Sequence, residues 1–303
     1  MHGWLLLDKP EGITSSQAVF VIKKLLKYCN LTKLKVGHAG TLDPLASGLL
    51  LVAIGEAVKT VNYAMGGSKS YEFSIKWGEA RDTLDREGVV TATSSHVPTR
   101  EEIISAIEGL RGKIEQRPPQ YSAIKVGGYR AYDLARKGVE FLLSPRTVEL
   151  HDLELMNCTE ELAHFRLDCG KGFYVRSLAA EIAHRVGACG HVSYLRRTSI
   201  KNFLVQDTIL LDKIKDLMHN ASHAEIFSNL QQHYLQPIHS VLDDILVQEV
   251  AKSEATKLRL GQPIQSTIRA LQGAEVAVFS DAQLIAICLC DGCWMRPKRV
   301  FNL

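Results

Sequence analysis

Hydrophobic positions along the chain fall into short blocks whose period shifts between two residues and three to four. Residues 3–8 form a continuous apolar run closed by Lys9-Pro10-Glu11-Gly12, which predicts a short buried strand. Thr14 and Gln17 then have the spacing of a capping box. Val19, Ile22, Leu25, Leu26 and Cys29 follow at helical spacing, with Asn30 as a stop. The stretch from Val36 to Ser47 is rich in Gly, Thr, Asp and Pro and reads as a loop, and Leu49 to Ile54 as a fully buried strand. Tyr71, Phe73, Ile75 and Trp77 alternate with polar residues, the pattern of a half-buried strand. Arg81, Asp82 and Asp85 lie in a predicted loop.

Thr99 and Glu102 predict a second capped helix with Ile103, Ile104, Ile107 and Leu110 on its core face and Gly112 at its end. Residues 117–146 read as a basic excursion punctuated by Gly and Pro, and a connection of that length usually has a function. Strands are expected at 147–155 and 163–169. A turn follows into a helix with Val175, Leu178, Ile182 and Val186 inward and Gly187 as cap. Residues 205–240 are polar and weakly helical and read as a peripheral segment and linker. From 241 to 303 the pattern offers one short helix and strands at 274–279 and 284–289, a small β-rich unit. The alternating strands favour an antiparallel sheet, so the expected class is α+β.

Composition adds little to this. The chain has 303 residues, 46% hydrophobic and 23% charged, enough for a large domain of 1–240 plus the 241–303 unit. The net charge of +3 is mildly basic and excludes nothing. The cations do recur in patches: Lys23, Lys24 and Lys27; Arg111, Lys113 and Arg117; Arg130, Arg136 and Lys137; Arg196, Arg197 and Lys201; Arg296, Lys298 and Arg299. Such patches suit a polyanionic partner, although any one of them also suits a solvated face. Seven scattered cysteines fit a reducing cytosol. Cys288, Cys290 and Cys293 have no second ligand pair for a metal, so they read as buried strand cysteines. The apolar WLLL run is too short for a leader and no run approaches membrane-spanning length, so the expected location is cytoplasmic.

The candidate chemistry sits in Gly37-His38-Ala39-Gly40-Thr41-Leu42-Asp43-Pro44-Leu45-Ala46-Ser47-Gly48. Its glycines allow close backbone approach, and Pro44 biases Asp43 toward an extended conformation. A carboxylate is thus presented on a stiff loop before a buried strand. A turn whose Asp only caps a backbone group would read the same way.

GHAGTLDPLASGLL resembles the signature of the TruB family of tRNA pseudouridine synthases, with Ala39 where the family often has Thr. LLLDKPEGITS, RPPQYSAIKVGGYRAYDLARKGVE, KGFYVRSLAAEIA and HVSYLRRTSI resemble four further family motifs in the same order, through about residue 201. The resemblance implies a pseudouridine synthase fold: a mostly antiparallel mixed central sheet flanked by helices. Residues 117–146 would be an RNA-clasping insertion. The C-terminal tail resembles a short PUA-type RNA-binding module, in which Trp294, Arg296, Lys298 and Arg299 could contact RNA.

The implied activity is conversion of uridine to pseudouridine at position 55 in the T-loop of tRNA. It needs neither cofactor nor metal. By resemblance Asp43 is the catalytic carboxylate, Arg176 the cation that keeps it ionised, and Tyr71 the aromatic that stacks on the flipped base and helps remove the C5 proton. Tyr174 and Leu195 would line the uracil pocket, and His38 would contact RNA or order the loop. Lys9 is assigned to the substrate side, ordering the loop or near phosphate, and Asp82 is expected beside the arginine. Attack on the ribose C1′, attack on the base and elimination from the sugar are all open to Asp43. The implied partner is the tRNA T-arm, with no obligate protein partner, no membrane and a monomeric chain. A guide-RNA-type synthase would carry longer basic tails. A pure RNA-binding protein would not need Asp43, Tyr71 and Arg176 together. An aspartyl phosphotransferase would want a second carboxylate beside Asp43, where Leu42, Pro44 and Leu45 stand.

Overall fold

The structure is a computed structural model that describes residues 1–268 and 271–303. The first apolar run forms β1 (Gly3–Lys9), buried along its whole length. The Thr14 hydroxyl accepts from the Gln17 amide and the Gln17 side chain accepts from the Thr14 amide. This capping box starts α1 (Ser15–Tyr28). Its buried face carries Ala18, Val19, Ile22, Leu25 and Leu26, and Asn30 ends it at a φ of 60°.

The expected loop before Asp43 is shorter than its composition suggests. Val36–Ala39 is a strand, β2, paired antiparallel with β3 (Ser47–Ile54), which leaves residues 40–46 as the loop. Local composition pointed to a loop, but pairing with an adjacent buried strand overrode it. The alternating segment is β4 (Lys69–Trp77), with Tyr71, Phe73, Ile75 and Trp77 buried as expected.

These strands belong to one large mixed sheet. From one edge its order is Ile209–Leu210, β1, β3, Gly190–Ile200, β4, Leu162–Cys169, Arg146–Cys158 and Gly112–Gln116. Most neighbours are antiparallel; β1 with Ile209–Leu210 and β3 with Gly190–Ile200 are parallel. β3 meets Gly190–Ile200 at Ser47–Gly48, opposite Arg196–Arg197, while β2 occupies the rest of that edge of β3. The sheet therefore divides in its middle, and the 40–46 loop crosses the division. Gly48 is required there. It has a φ of +100°, and a Cβ on it would lie 2.3 Å from the Arg197 carbonyl oxygen.

Several expectations are corrected. The helix opened by Thr99 and Glu102 is Arg100–Ile107. Ile103 is buried on it, but Ile104 is 39% exposed because it is turned away from the 103–107 face. Gly109 takes the positive φ that directly follows this helix, and Gly112, itself at a φ of 99°, opens the next strand. Residues 205–240 are not a linker. Leu211–Asn220 and His223–His233 are helices whose Leu211, Ile214, Ile226 and Leu230 enter the main core, and Leu235–Gln236 pairs with β1. Their apolar spacing is helical but diluted by His, Asn and Gln.

The C-terminal residues form a five-stranded sheet in the order Leu246–Glu249, Glu275–Ser280, Gln283–Asp291, Trp294–Val300, Ile264–Gln265, beside a Lys252–Arg259 helix. This β-rich unit has its own small core. It also packs Ala277, Leu284, Ile287 and Phe301 against Trp4, Leu6, Leu49 and Leu51 of β1 and β3. Cys288 and Cys290 are buried in it, whereas Cys293 is exposed in a turn, contrary to expectation. No helix among the described residues is long and apolar enough to cross a membrane.

Candidate active site

The 40–46 loop is pinned from several directions. The Ser15 hydroxyl donates to the Leu42 carbonyl at 3.0 Å and accepts from the Leu42 amide at 2.8 Å. The Gly12 amide donates to the Pro44 carbonyl at 2.9 Å. Lys9, fully buried, donates from Nζ to the carbonyls of Pro10, Ile13 and Pro44. Desolvation lowers its ammonium to about 8, with Asp43 opposing the shift. In this structure all the Lys9 contacts are to backbone carbonyls around the loop, which fits the loop-ordering half of its assignment.

Asp43 is held at the division of the sheet, with Arg176 Nε 2.9 Å from its Oδ2. Arg176 lies in the first turn of the Val175–Arg185 helix, which packs on the Gly190–Ile200 strand. Its side chain is 5% exposed and uses most of its donors. It donates to the Thr83 carbonyl at 2.7 Å and to the Tyr121 carbonyl at 2.9 Å, and it lies 3.4 Å from Asp85 Oδ2. One guanidinium therefore joins the Asp43 loop, the 79–93 hairpin and the start of the excursion.

Asp85 is the buried partner that the sequence reading left among loop residues. Its segment is stitched to the central strand, where the Val192 amide donates to the Leu84 carbonyl and the Arg86 amide to the Val192 carbonyl. Asp82, expected beside the arginine, lies elsewhere. Its Oδ2 accepts from the Tyr121 hydroxyl at 3.0 Å and its Oδ1 from the Val89 amide at 2.9 Å. A carboxylate three residues further along the same turn was the better candidate, and sequence spacing alone could not choose between them.

The Asp43 side chain keeps 36% of its surface open to the cleft, while protein closes around its other sides. That desolvation pushes its carboxyl above the ordinary 3.8, Asp85 adds to the rise, and Arg176 and Lys9 oppose it. The result is a poorly solvated carboxyl whose ionised form depends on the Arg176 and Lys9 charges beside it, a setting suited to nucleophilic or proton-transfer work.

Tyr71 stands buried on β4, directly opposite Arg197 of the central strand; burial pushes its hydroxyl up, the Arg197 charge opposes the shift and Asp43 adds to it. Leu195 is buried on the central strand opposite Phe73. Tyr174 precedes the Arg176 helix. The Gln116 side chain brackets its backbone, donating to the Tyr174 carbonyl at 3.0 Å and accepting from the Tyr174 amide at 2.7 Å. His38 lies on β2, and among the described residues its Nδ1 is buried without a partner. Desolvation and the Arg197 charge lower its pKa, which keeps the ring neutral. A cavity of about 680 Å³ opens at the root of the excursion on Asp82, Gln116, Pro119 and Ser177, but Asp43, Tyr71 and Arg176 do not line it.

The basic patches divide into buried and free ones. Arg196 is paired with Asp8 at 2.7 Å, Arg197 is buried, and Lys201 is paired with Asp243 and Asp244. The 196–201 cluster, one of the basic patches that suited a polyanionic partner, is therefore committed to the fold. In the excursion, a Lys125–Val126/Tyr129–Arg130 hairpin leads into the Ala131–Arg136 helix. Arg117, Lys125, Arg130, Arg136 and Lys137 are exposed there, with no ion pair among the described residues. In the C-terminal sheet Trp294 is 51% exposed, Arg296 and Arg299 are exposed, and Lys298 pairs with Glu275. Among the described residues no group of three or more His, Cys, Asp or Glu could hold a metal ion.

Comparison with known proteins gives a consistent picture. Residues 23–175 match the model of the TruB family pseudouridylate synthase N-terminal domain, and residues 176–243 match that of the tRNA pseudouridylate synthase B C-terminal domain. The tRNA pseudouridine synthase B of Bradyrhizobium diazoefficiens is 45% identical over 306 residues, covering 100% of this chain and 86% of that protein. The protein of the same name from Bartonella bacilliformis is 43% identical over 317 residues, covering 100% and 96%. Among solved structures, a Cbf5-Nop10-Gar1 complex aligns with a TM-score of 0.72 at 24% identity, over 99% of this chain and 85% of that one. An H/ACA RNP bound to a substrate RNA containing 2′-deoxyuridine aligns equally well at 22% identity. These two show that the fold is shared. With both family models matched end to end across residues 23–243, and full-length relatives above 40% identity, the chain belongs to the TruB family of pseudouridylate synthases.

Proposed function

We propose that this chain isomerises uridine to pseudouridine at position 55 in the T-loop of tRNA, with Asp43 as the carboxylate that acts on the flipped nucleotide. The observation that carries the reading is the Asp43–Arg176 pair at 2.9 Å, on a loop pinned at the division of the sheet and beside Tyr71. In the reaction the bond from uracil N1 to ribose C1′ breaks, the base turns, and C5 bonds to C1′. Each of the three routes open to Asp43 needs its ionised form against the extruded nucleotide. Arg176 supplies the charge that keeps it ionised in a cleft that the bound nucleotide closes to water.

The target base is stacked within its RNA and has to be extruded, which costs a few kcal/mol of unstacking. Tyr71 and Tyr174 offer aromatic faces to replace the lost stacking, and Leu195 an apolar wall. The exposed cations of the excursion suit phosphates on the outside of a T-arm, and they leave duplex bases unread. The chain is expected to act as a monomer, without a protein partner and in the cytoplasm.

The test is incubation of the purified protein with unmodified tRNA transcript, with a chelator present, and mapping of pseudouridine by carbodiimide labelling and primer extension. Conversion of the single T-loop uridine is the expected outcome. Conversion elsewhere, or binding without conversion, removes the proposed target; the latter would point to dependence on a guide RNA.

A further inference from the structure

Three buried cations surround the catalytic loop and, among the described residues, none of them is ion-paired with a carboxylate. Lys9 and Lys69 are held by backbone carbonyls, and each has a plain structural reading. Arg197 differs from both. It is 1% exposed and stands on the central strand, opposite Gly48 of β3 on one side and opposite Tyr71 of β4 on the other. Its Nε donates to the Leu49 carbonyl at 2.8 Å and one terminal nitrogen donates to the Gly40 carbonyl at 3.0 Å. Those two carbonyls lie at either end of the loop that carries Asp43. Tyr71 stands directly opposite it on β4, close enough for the guanidinium charge to act on its hydroxyl. Gly40 leaves room for it, since a Cβ there would lie 3.3 Å from a guanidinium nitrogen.

We infer that Arg197 is a positioning residue for proton removal from uracil C5: it clasps both ends of the Asp43 loop and sets its charge against the Tyr71 oxygen, so that this step depends on it although it touches neither base nor sugar. The inference rests on the proposed function. In the step concerned, the C5–H bond breaks, its electron pair re-forms the C5–C6 double bond, and the N1–C6 π pair withdraws to N1, which takes a proton from solvent. The proton passes to the Tyr71 phenolate oxygen, which returns it to solvent as product leaves. The Arg197 charge favours the phenolate that burial opposes. The other groups facing Tyr71 are Cys169, from the Leu162–Cys169 strand, and Asp43, from the loop. Burial raises the Cys169 thiol to about 12, so it stays neutral, and Asp43 opposes the phenolate.

The experiment uses full-length protein and tRNA transcript carrying tritium at uracil C5, with single-turnover tritium release followed from about pH 6 to about pH 10. Arg197→Met and Arg197→Lys are compared with wild type, each also in a Tyr71→Phe background, with melting temperature and tRNA affinity recorded. Arg197→Lys keeps the buried charge but cannot span both loop carbonyls, so it remains informative if Arg197→Met does not fold. Release is expected to fall on the order of 10²-fold in either variant, with tRNA affinity little changed. Because burial holds the Tyr71 hydroxyl above its ordinary 10, release should rise with pH across this range in wild type and lie lower throughout in either variant, and neither variant should add to the loss already caused by Tyr71→Phe. Losses that multiply with Tyr71→Phe, or wild-type release that does not rise with pH, would overturn the inference and leave the proposed function standing. Absence of wild-type release would overturn both.

Discussion

In the proposed function Asp43 acts as an ionised carboxylate where desolvation favours its neutral form, and this sets the expected pH behaviour. Its value in the folded protein lies above 3.8, so activity should fall on the acid side through that raised value, before an ordinary Asp would protonate. A pH–rate profile on saturating tRNA checks this. Because the folded state binds the proton more tightly than the unfolded state, the ionised carboxylate costs stability at neutral pH. The cost fades as pH falls through the folded value and is gone below 3.8. Asp43→Asn should therefore melt no lower than wild type at pH 7, with any advantage gone at low pH. Arg176→Met should do the opposite. It strands Asp43 and Asp85 and should cost about 3–5 kcal/mol in denaturant unfolding, together with activity. At this scale, the pairing of Asp43 with Arg176 was legible because their motifs carry the family resemblance. Asp85 and Arg197 were not. An arginine in a basic run reads as surface, and only its register between β3 and β4 shows that it is buried.

The elements meet where β3 and the Gly190–Ile200 strand touch through Ser47–Gly48. Gly48→Ala would drive a Cβ into the Arg197 backbone at an unfavourable φ, and a loss of at least about 2 kcal/mol is expected, read as a lower denaturant midpoint at unchanged slope. The helices after residue 210 give a second check. Leu230→Ala should cost about 2–5 kcal/mol, as for a core residue; a loss below about 0.5 kcal/mol would restore the linker reading. Strands with clean alternation, such as β4, and helices with a capping box, such as α1, were readable from the sequence. β2 and Gly190–Ile200 were not, because long-range pairing decides both and neither has a local period of its own.

At the scale of the whole molecule, the 196–201 cations are committed to the fold, while those of the excursion and of the C-terminal sheet face outward. Arg130→Ala and Lys137→Ala should leave the melting temperature unchanged. Each should weaken tRNA binding and reduce the dependence of log affinity on log salt by about 1, measured by filter binding across salt concentrations. The large sheet and the β-rich C-terminal unit were anticipated in class, but the packing of that unit on the back of β1 and β3 was not, because it is a contact between distant segments. What joins the three scales is the Asp43 carboxylate, pinned at the division of the sheet and paired with Arg176. The most direct measurement is single-turnover pseudouridine formation at the T-loop uridine by wild type and Asp43→Asn, each at saturating tRNA with affinity measured in parallel. The expected result is conversion by wild type, and none by an Asn variant that binds tRNA as tightly. Conversion by Asp43→Asn at a rate near wild type would contradict the assignment of this carboxylate.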